Sequence, residues 1–256
     1  MEKEKYVGSV RGHALVLGGS GGIGSEIVRA MVANGASAVS FTYGRNKVAA
    51  EALKAEVEAE GVKVFMAAVD LSNAAAFGQF LGDAATAIGA EISSAVDTVG
   101  ISPNTPLEEQ TMDEWKQVFE ANVYRCFFST RVIANRMRDK GVKGSITLIT
   151  STNGINSQSS ISVHYDASKS AQGHMMRIVA EHYAPAGIRV NGIAPGWINT
   201  KMNDTLPKDE YEKEAAKIWC GRFAEPAEVA ALTAFVAGSG GSYIYGQNLM
   251  IDGGYR

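Results

Sequence analysis

The sequence predicts an α/β fold, a doubly wound seven-stranded parallel sheet with helices on both faces. Two observations lead to this prediction. Short apolar runs alternate with longer segments of helical periodicity along nearly all of the 256 residues, as in parallel sheets whose strands are joined by crossover helices. The first apolar run also leads into a glycine-rich loop and then a helix, the order in which dinucleotide-binding folds begin.

Composition and charge narrow the classes of function. The chain is 46% hydrophobic and 20% charged, which is ordinary for a globular protein. Its formal net charge of −3 argues against binding nucleic acid through a basic face. It has no apolar signal segment and no run near the ~18 apolar residues of a membrane span. Its two cysteines and four histidines match no metal or disulfide spacing. We expect one cytoplasmic domain over residues 1–256, without metal, membrane or nucleic acid.

The first strand, predicted over 13–17, is followed by a loop of the form Gly-x-x-x-Gly-x-Gly. A helix ending near Asn34-Gly35 and a second strand over 38–42 complete the unit. Glycines let the backbone approach a pyrophosphate closely, and a helix N-terminus offers unpaired N–H groups and a positive dipole end. We therefore predict that the loop binds a dinucleotide through Gly18, Ser20, Gly21, Gly22, Ile23 and Gly24.

The segment after the second strand determines the predicted cofactor. An acidic residue there would bond the ribose 2′-OH of NAD, but residues 41–47 contain no carboxylate and two cations. Arg45 is placed to pair with a 2′-phosphate. We predict NADP(H), bound in part by Tyr43 and Arg45. NAD(H) remains the alternative, with this segment as a solvated loop.

The alternation continues through the middle of the chain. Asp70 ends the third apolar run, where it either bonds an adenine amino group or serves only the local turn. Thr111 and Glu114 have the spacing of a capping box. Asn122 lies within the apolar stripe of the helix that follows, so its amide is either satisfied structurally or organises something polar. The elements predicted here are a helix over 46–60 ended by Gly61, a strand over 62–69, a helix capped by Ser72 or Asn73, and a strand over 95–99.

The second half supplies three more strands. Residues 197–222 are polar and charged with scattered aromatics, and they form either a substrate lid or a surface helical hairpin. The predicted elements are a strand over 145–150 leading into Ser151, a helix carrying Tyr165 and Lys169 and stopped by Pro185 to Gly187, a strand over 189–193, a helix opened by Pro226, and a strand over 248–251.

Tyr165 and Lys169 are four residues apart, on one face of their predicted helix. An ammonium beside a phenol favours the phenolate and lowers the tyrosine pKa. The two residues therefore form either a proton-transfer pair or one of the many chance pairs found on helices.

Together these motifs resemble the short-chain dehydrogenase/reductase family, of the compact single-domain type. Gly18-x-x-x-Gly22-Ile23-Gly24 matches its cofactor loop, and the end of the chain is similar to that of 3-oxoacyl-acyl-carrier-protein reductases. The resemblance implies a Rossmann-type sheet. It also implies further cofactor contacts at Asp70, Leu71, Gly100, Tyr165, Lys169, Pro195, Gly196, Ile198 and Thr200.

The resemblance also implies the chemistry. A hydride moves from the nicotinamide to a substrate carbonyl, Tyr165 donates the proton, and Ser151 bonds the carbonyl oxygen. Lys169 lowers the pKa of Tyr165 and binds the nicotinamide ribose, and Asn122 holds a water. The implied catalytic residues are Asn122, Ser151, Tyr165 and Lys169. We expect Ser151, Asn153, Tyr165 and Trp197 to bind substrate, with a core position as the alternative for Trp197.

Four departures from the family pattern stand out. Asp97-Thr98-Val99-Gly100 replaces the usual Asn-Asn-Ala-Gly, so the bonding around the central sheet must differ. Leu17 and Gly21 stand where threonine and often arginine occur. The interval from Ser151 to Tyr165 is one residue longer than usual, which leaves Thr152 as an alternative serine equivalent, although Gly154 supports Ser151. The extra residue lies in 155–164, a loop expected to face the substrate.

The predicted activity is reduction of a 3-oxoacyl thioester carried on acyl carrier protein or CoA, as in fatty acid biosynthesis. The alternatives are a dehydrogenase for a small alcohol, ketone or sugar, and a non-catalytic nucleotide-sensing scaffold. The family resemblance also implies a homotetramer.

Overall fold

The computed structural model describes residues 8–156, 159–200 and 206–255. Seven strands form one sheet in the order β3-β2-β1-β4-β5-β6-β7, and every neighbouring pair is parallel. The predicted seven-stranded parallel sheet is therefore confirmed. Its strands are β1 His13–Leu17, β2 Ala38–Tyr43, β3 Lys63–Ala68, β4 Ile92–Asp97, β5 Ser145–Ile149, β6 Arg189–Pro195 and β7 Asn248–Ile251.

Helices cover both faces of this sheet. Successive side chains of a strand point to opposite sides, and the apolar side chains on both sides must be buried. In β1, Ala14 and Val16 pack into one hydrophobic core with α1 and α8, while Leu15 and Leu17 pack into another with α3, α5 and α6. The helices are α1 Gly22–Ala33, α2 Lys47–Ala59, α3 Ala74–Ile88, α4 Met112–Phe119, α5 Arg125–Asp139, α6 Val163–Tyr183, α7 Lys208–Ala215 and α8 Pro226–Ala237. In the part of the chain that the structure describes, none is long and apolar enough to cross a membrane.

The strand order reverses at the centre of the sheet. β1 pairs with β2 on one side and with β4 on the other, so the connections after β1 and β4 leave in opposite directions. Ligands of doubly wound sheets bind in the crevice that such a reversal opens at the carboxyl ends of the strands. The loops carrying the predicted site residues all emerge at this edge.

Several local signals are confirmed. The Thr111 side chain accepts a hydrogen bond from the Glu114 backbone N–H, which completes the capping box of α4. Asn73, rather than Ser72, caps α3 through the N–H groups of its first turn. Pro226 lies in the first turn of α8, and Gly187 stands just beyond α6 with a left-handed φ of 73°. Each of these signals acts within a few residues, which is why the sequence alone reveals it.

Two elements, β4 and the helix after Thr111, differ clearly from prediction. β4 begins at Ile92 and ends at Asp97, because Ser93 and Ser94 are strand residues despite their polarity, and because the Asp97 side chain accepts a hydrogen bond from the Val99 N–H. The long helix predicted from Thr111 onwards is divided by a π-helical turn at Glu120–Tyr124. This turn carries Asn122, and π-turns of this kind occur often at functional sites.

Candidate active site

The glycine loop lies folded against the end of β1 and is anchored to β2. The Gly18 and Gly19 N–H groups donate to the side-chain and backbone oxygens of Thr42, at 3.0 and 2.9 Å. A Cβ on Gly24 would lie 2.2 Å from the Gly18 carbonyl oxygen, so no side chain fits there. α1 begins at Gly22 without a capping side chain. Its first N–H groups thus suit a pyrophosphate.

A cavity of about 710 Å³ opens beside this loop, between the ends of β2, β3 and β4 and the α4–α5 region. This volume lies in the range of small-molecule and cofactor sites. The lining contains Gly18, Tyr43, Asp70 and Leu71, four of the predicted cofactor residues. Arg45 is exposed two residues beyond Tyr43. The cavity therefore has the position and size expected for the adenosine part of a dinucleotide.

Asp70 has a structural role in the turn that follows β3. Its Oδ1 accepts hydrogen bonds from the Ser72 hydroxyl and N–H, at 2.6 and 2.9 Å. These bonds lower the pKa of the carboxyl. The local-turn alternative is thus realised, on the wall of the same cavity.

The segment after β6 approaches the glycine loop from the other side. The Gly196 N–H donates to the Ile251 carbonyl, and Ile198 is buried. The Thr200 side chain lies against the loop, because a Cβ on Gly22 would be 3.4 Å from its Cγ2. Pro195 to Thr200 therefore borders the same crevice, as expected for the nicotinamide end.

Ser151 and Tyr165 meet at the end of β5. Burial raises the pKa of Tyr165 overall, and the Ser151 hydroxyl beside it acts in the opposite direction. The nearby Asp166 carboxylate raises it further. The direction is opposite to the lowering expected from the sequence, because burial of the phenol has the largest effect. Thr152 instead donates to the Pro195 carbonyl at 3.3 Å, so the geometry agrees with the choice of Ser151.

Lys169 is buried one helical turn beyond Tyr165. Its Nζ lies 5.6 Å from the centroid of the Tyr165 ring and donates to the Ile149 carbonyl and to Gln172 Oε1, both at 3.0 Å. Burial lowers the pKa of Lys169 to about 8. A Cβ on Gly100 would lie 3.5 Å from the same Nζ. The ammonium thus sits between β5 and the loop after β4.

Asn122 fixes that loop. Its Oδ1 accepts from the Ile101 N–H and its Nδ2 donates to the Ile101 carbonyl, both at 2.9 Å. Nδ2 also donates to Ser168 Oγ at 3.0 Å. The amide is therefore satisfied by protein groups, and its contacts hold residues 100–101 beside Lys169.

The sequence did not reveal a buried ion pair beneath the loop. Arg125 Nη1 donates to Asp97 Oδ2 at 2.5 Å, and both side chains are buried. The same guanidinium donates to the Val99 carbonyl at 2.6 Å and the Ala121 carbonyl at 2.9 Å. This pair provides the different bonding that the Asp97 departure implied. One sequence signal could have revealed Arg125 as the partner of Asp97, namely a cation within the apolar stripe of its helix.

Asn153 and Asp166 support the predicted substrate side of the site. Asn153 Oδ1 lies 3.5 Å from Ser151 Oγ, and Asn153 Nδ2 donates to Asp166 Oδ1 at 2.7 Å. Asp166 also accepts from the Ser159 N–H and the Ser162 hydroxyl, at 3.0 and 2.9 Å. One carboxylate on α6 thus anchors the loop that carries the extra residue, of which residues 157–158 lie outside the described part.

Trp197 is placed in a small hydrophobic cluster. Its ring stacks on Phe223 at a centroid distance of 5.1 Å. The structure therefore places this predicted substrate residue against protein groups. Of the predicted lid 197–222, residues 201–205 lie outside the described ranges, and the remainder contains α7. Over the described residues, no group of three or more His, Cys, Asp or Glu side chains could hold a metal ion.

Comparison with known proteins finds matches over nearly the whole chain. The sequence profile described as "Enoyl-(Acyl carrier protein) reductase" matches residues 18–256. Curated relatives include the 3-alpha-(or 20-beta)-hydroxysteroid dehydrogenase of Mycobacterium tuberculosis, 32% identical over 94% of this chain and 88% of the relative. The L-2,3-butanediol dehydrogenase of Corynebacterium glutamicum is 30% identical (94% and 97% covered), and the acetoacetyl-CoA reductase of an Acinetobacter species is 31% identical (94% and 96% covered).

Solved structures show the same fold. A short-chain dehydrogenase/reductase from Serratia marcescens is 33% identical and superimposes with a TM-score of 0.87, covering 94% of this chain and 96% of the other. A 3-oxoacyl-[acyl-carrier protein] reductase from Brucella melitensis is 26% identical, with a TM-score of 0.87 and coverage of 100% and 96%.

Proposed function

Because the chain belongs to the short-chain dehydrogenase/reductase family of NAD(P)(H)-using oxidoreductases, we propose that it uses NADP(H) to reduce a carbonyl to a secondary alcohol. The proposed substrate is a 3-oxoacyl thioester. One observation carries the proposal. Ser151 and Tyr165 lie beside each other, with Lys169 one turn further along α6, at the sheet edge where the glycine loop emerges.

The proposed mechanism assigns a task to each of these groups. When bound, the nicotinamide supplies a hydride to the carbonyl carbon. The Tyr165 hydroxyl donates a proton to the carbonyl oxygen, and Ser151 donates a hydrogen bond to the same oxygen. The Lys169 ammonium stabilises the phenolate that remains. Since burial raises the pKa of Tyr165, the phenol is protonated at neutral pH and can act as the acid.

The residues that border the crevice fit a dinucleotide. The glycine loop and the N-terminus of α1 would hold its pyrophosphate, and Tyr43, Asp70 and Leu71 would surround the adenosine half. The segment Pro195 to Thr200 would border the nicotinamide end. Gly100 and Ile198 are further proposed contacts, and Gly100 lies beside Lys169.

The preference for NADP(H) rests on Arg45. This side chain is exposed beyond β2, whereas its neighbour Lys47 pairs with Glu51 at 3.4 Å. We expect Arg45→Ala to weaken NADPH binding about tenfold or more, since a charge-assisted bond to phosphate is lost. NADH binding should change little, and Lys47→Ala is the matched control. Equal losses for both cofactors in fluorescence titrations would contradict the 2′-phosphate assignment.

The thioester substrate is supported by similarity to an acetoacetyl-CoA reductase and a 3-oxoacyl-[acyl-carrier protein] reductase. In this proposal the acyl chain is carried on CoA or acyl carrier protein and passes Asn153 near Ser151. A dehydrogenase for a small alcohol, ketone or sugar is the second candidate, favoured by similarity to the butanediol dehydrogenase. The proposed assembly is a homotetramer, which analytical ultracentrifugation would test.

A carbonyl panel tests the function. Nicotinamide absorbance would be followed with 3-oxoacyl thioesters, diketones and ketoses, each with NADPH and NADH. We expect the thioesters to give the highest kcat/KM, and Tyr165→Phe to reduce turnover by about 100-fold or more while leaving cofactor affinity unchanged. Tight cofactor binding without turnover of any carbonyl would contradict the proposal and favour a nucleotide sensor.

A further inference from the structure

The surroundings of Lys169 contain a polar group that the proposed chemistry does not use. Gln172 lies three residues further along α6 and is only 1% exposed. Its Oε1 accepts from Lys169 Nζ at 3.0 Å. An ammonium has three N–H donors. Ile149 and Gln172 therefore occupy two of them, and the third is left for the space beside Gly100.

The Gln172 amide is itself held in one orientation. Its Nε2 donates to Cys126 Sγ on α5 at 3.1 Å. The opposite orientation would turn the NH₂ group towards the Lys169 ammonium, and two donors would then face each other. The positive charge thus determines which end of the amide points at Lys169, and the cysteine sulfur accepts from the other end.

The charges nearest to Lys169 do not include an available carboxylate. Asp97 on β4 is held by the Arg125 guanidinium of α5, and these two charges act on the lysine in opposite directions. Cys126 is fully buried, which raises the pKa of its thiol to about 11, so it is neutral at physiological pH. Tyr165 is protonated, as argued above. Neutral acceptors therefore supply the direct contacts that stabilise the ammonium.

We propose that Gln172 is a positioning residue that holds the Lys169 ammonium between the Ile149 carbonyl and the crevice beside Gly100. Its carbonyl oxygen stabilises the charged form of the lysine and restricts where Nζ can lie. The inference rests on the proposed function for its catalytic meaning, but the contact itself is a property of the folded chain.

This role predicts that two substitutions of Gln172 shift the pKa of Lys169 in opposite directions. Gln172→Leu removes the acceptor, so the charged lysine loses a hydrogen bond and the pKa of Lys169 should fall by about one unit or more. Gln172→Glu places a carboxylate against the ammonium, so the pKa should rise by at least about one unit. A side chain that only filled space would leave the pKa of Lys169 unchanged in Gln172→Leu, so the fall in that variant carries the inference, and the rise in Gln172→Glu shows that position 172 faces the ammonium.

The test is a direct titration of Lys169 in the folded protein. Lysine labelled with carbon-13 at Cε would be followed by NMR across pH, with the signal assigned by its loss in Lys169→Met. Met176→Leu is the matched control, because it changes a buried side chain about two helical turns further along α6. Circular dichroism would verify folding, and Gln172→Met, of similar length, replaces Gln172→Leu if that variant does not fold.

We expect the titration midpoint of Lys169 to move to lower pH in Gln172→Leu and to higher pH in Gln172→Glu. The pH profile of kcat should move in the same direction as the midpoint in each variant. A Lys169 titration that stays at the wild-type position or moves upwards in Gln172→Leu would overturn the inference, whatever Gln172→Glu does. A wild-type protein without turnover would instead refute the proposed function, and the NMR titration would still measure the contact between Gln172 and Lys169.

Discussion

The buried ion pair beneath the crevice provides the sharpest stability prediction. Asp97→Asn preserves the size of the side chain and its acceptor for the Val99 N–H. It leaves the Arg125 guanidinium, whose side chain is only 6% exposed, without a countercharge. Breaking a buried pair by removing one partner costs about 3–5 kcal/mol. For a chain of this length that corresponds to a decrease in melting temperature of about 6–9 °C.

Urea unfolding followed by circular dichroism would measure the loss. Asp209→Asn is the matched control, because the pair of Asp209 with Lys213 is exposed and such pairs contribute at most about 1 kcal/mol. The double variant Asp97→Asn, Arg125→Met removes both charges. It should be destabilised by less than the sum of the two single variants, since neither charge is left buried alone.

Two results would refute this reasoning. One is an Asp97→Asn protein whose free energy of unfolding lies within about 1 kcal/mol of the wild-type value, well below the cost of an unpaired buried charge. The other is strict additivity of the single and double variants, which would mean that Asp97 and Arg125 do not interact energetically.

Three further predictions concern the site and its supports. Burial lowers the pKa of Lys169 from 10.5 to about 8, so the cost of burying its charge is fully present below pH 8 and is relieved as the pH rises towards 10.5. Unfolding curves from pH 7 to 10.5 should show the wild-type protein gaining up to about 3 kcal/mol relative to Lys169→Met, and parallel curves would contradict this. Gly24→Ala should abolish cofactor binding in fluorescence titrations, because its Cβ would lie 2.2 Å from the Gly18 oxygen; Gly78→Ala, with nothing near its Cβ, should bind normally. Thr111→Ala should cost about 1 kcal/mol in urea unfolding through loss of the α4 cap, and an unchanged midpoint would show that the cap contributes nothing.

Much of the fold could be read from local patterns. The strand–glycine loop–helix unit at the start of the chain, the capping box at Thr111 and the Pro226 helix start all depend on residues close together in sequence. The right-handedness of crossover connections limits the strand orders that such an alternation can adopt, and the structure shows which of them is used. The boundary of β4 was missed because Ser93 and Ser94 are polar strand residues, which hydrophobic periodicity does not detect.

The sequence named candidate site residues, but it could not give their electrostatics. The spacing of Tyr165 and Lys169 placed them on one face of a helix. The predicted direction of the Tyr165 pKa shift was wrong, because the shift depends on how far the tertiary structure buries the phenol. The role of Trp197 also depended on packing, since stacking on Phe223 requires two segments that are distant in sequence to meet.

The sequence by itself determined the parallel sheet, the glycine loop at its edge and the residues that follow each strand, because backbone propensity, helix capping and side-chain periodicity act over one or two turns of chain. Only the tertiary structure decided how buried charges are matched. Asp97 meets Arg125, and Lys169 meets Gln172 and through it Cys126, because β4, α5 and α6 pack against one another. In that water-poor interior each polar group requires a partner, whichever element of the fold supplies it.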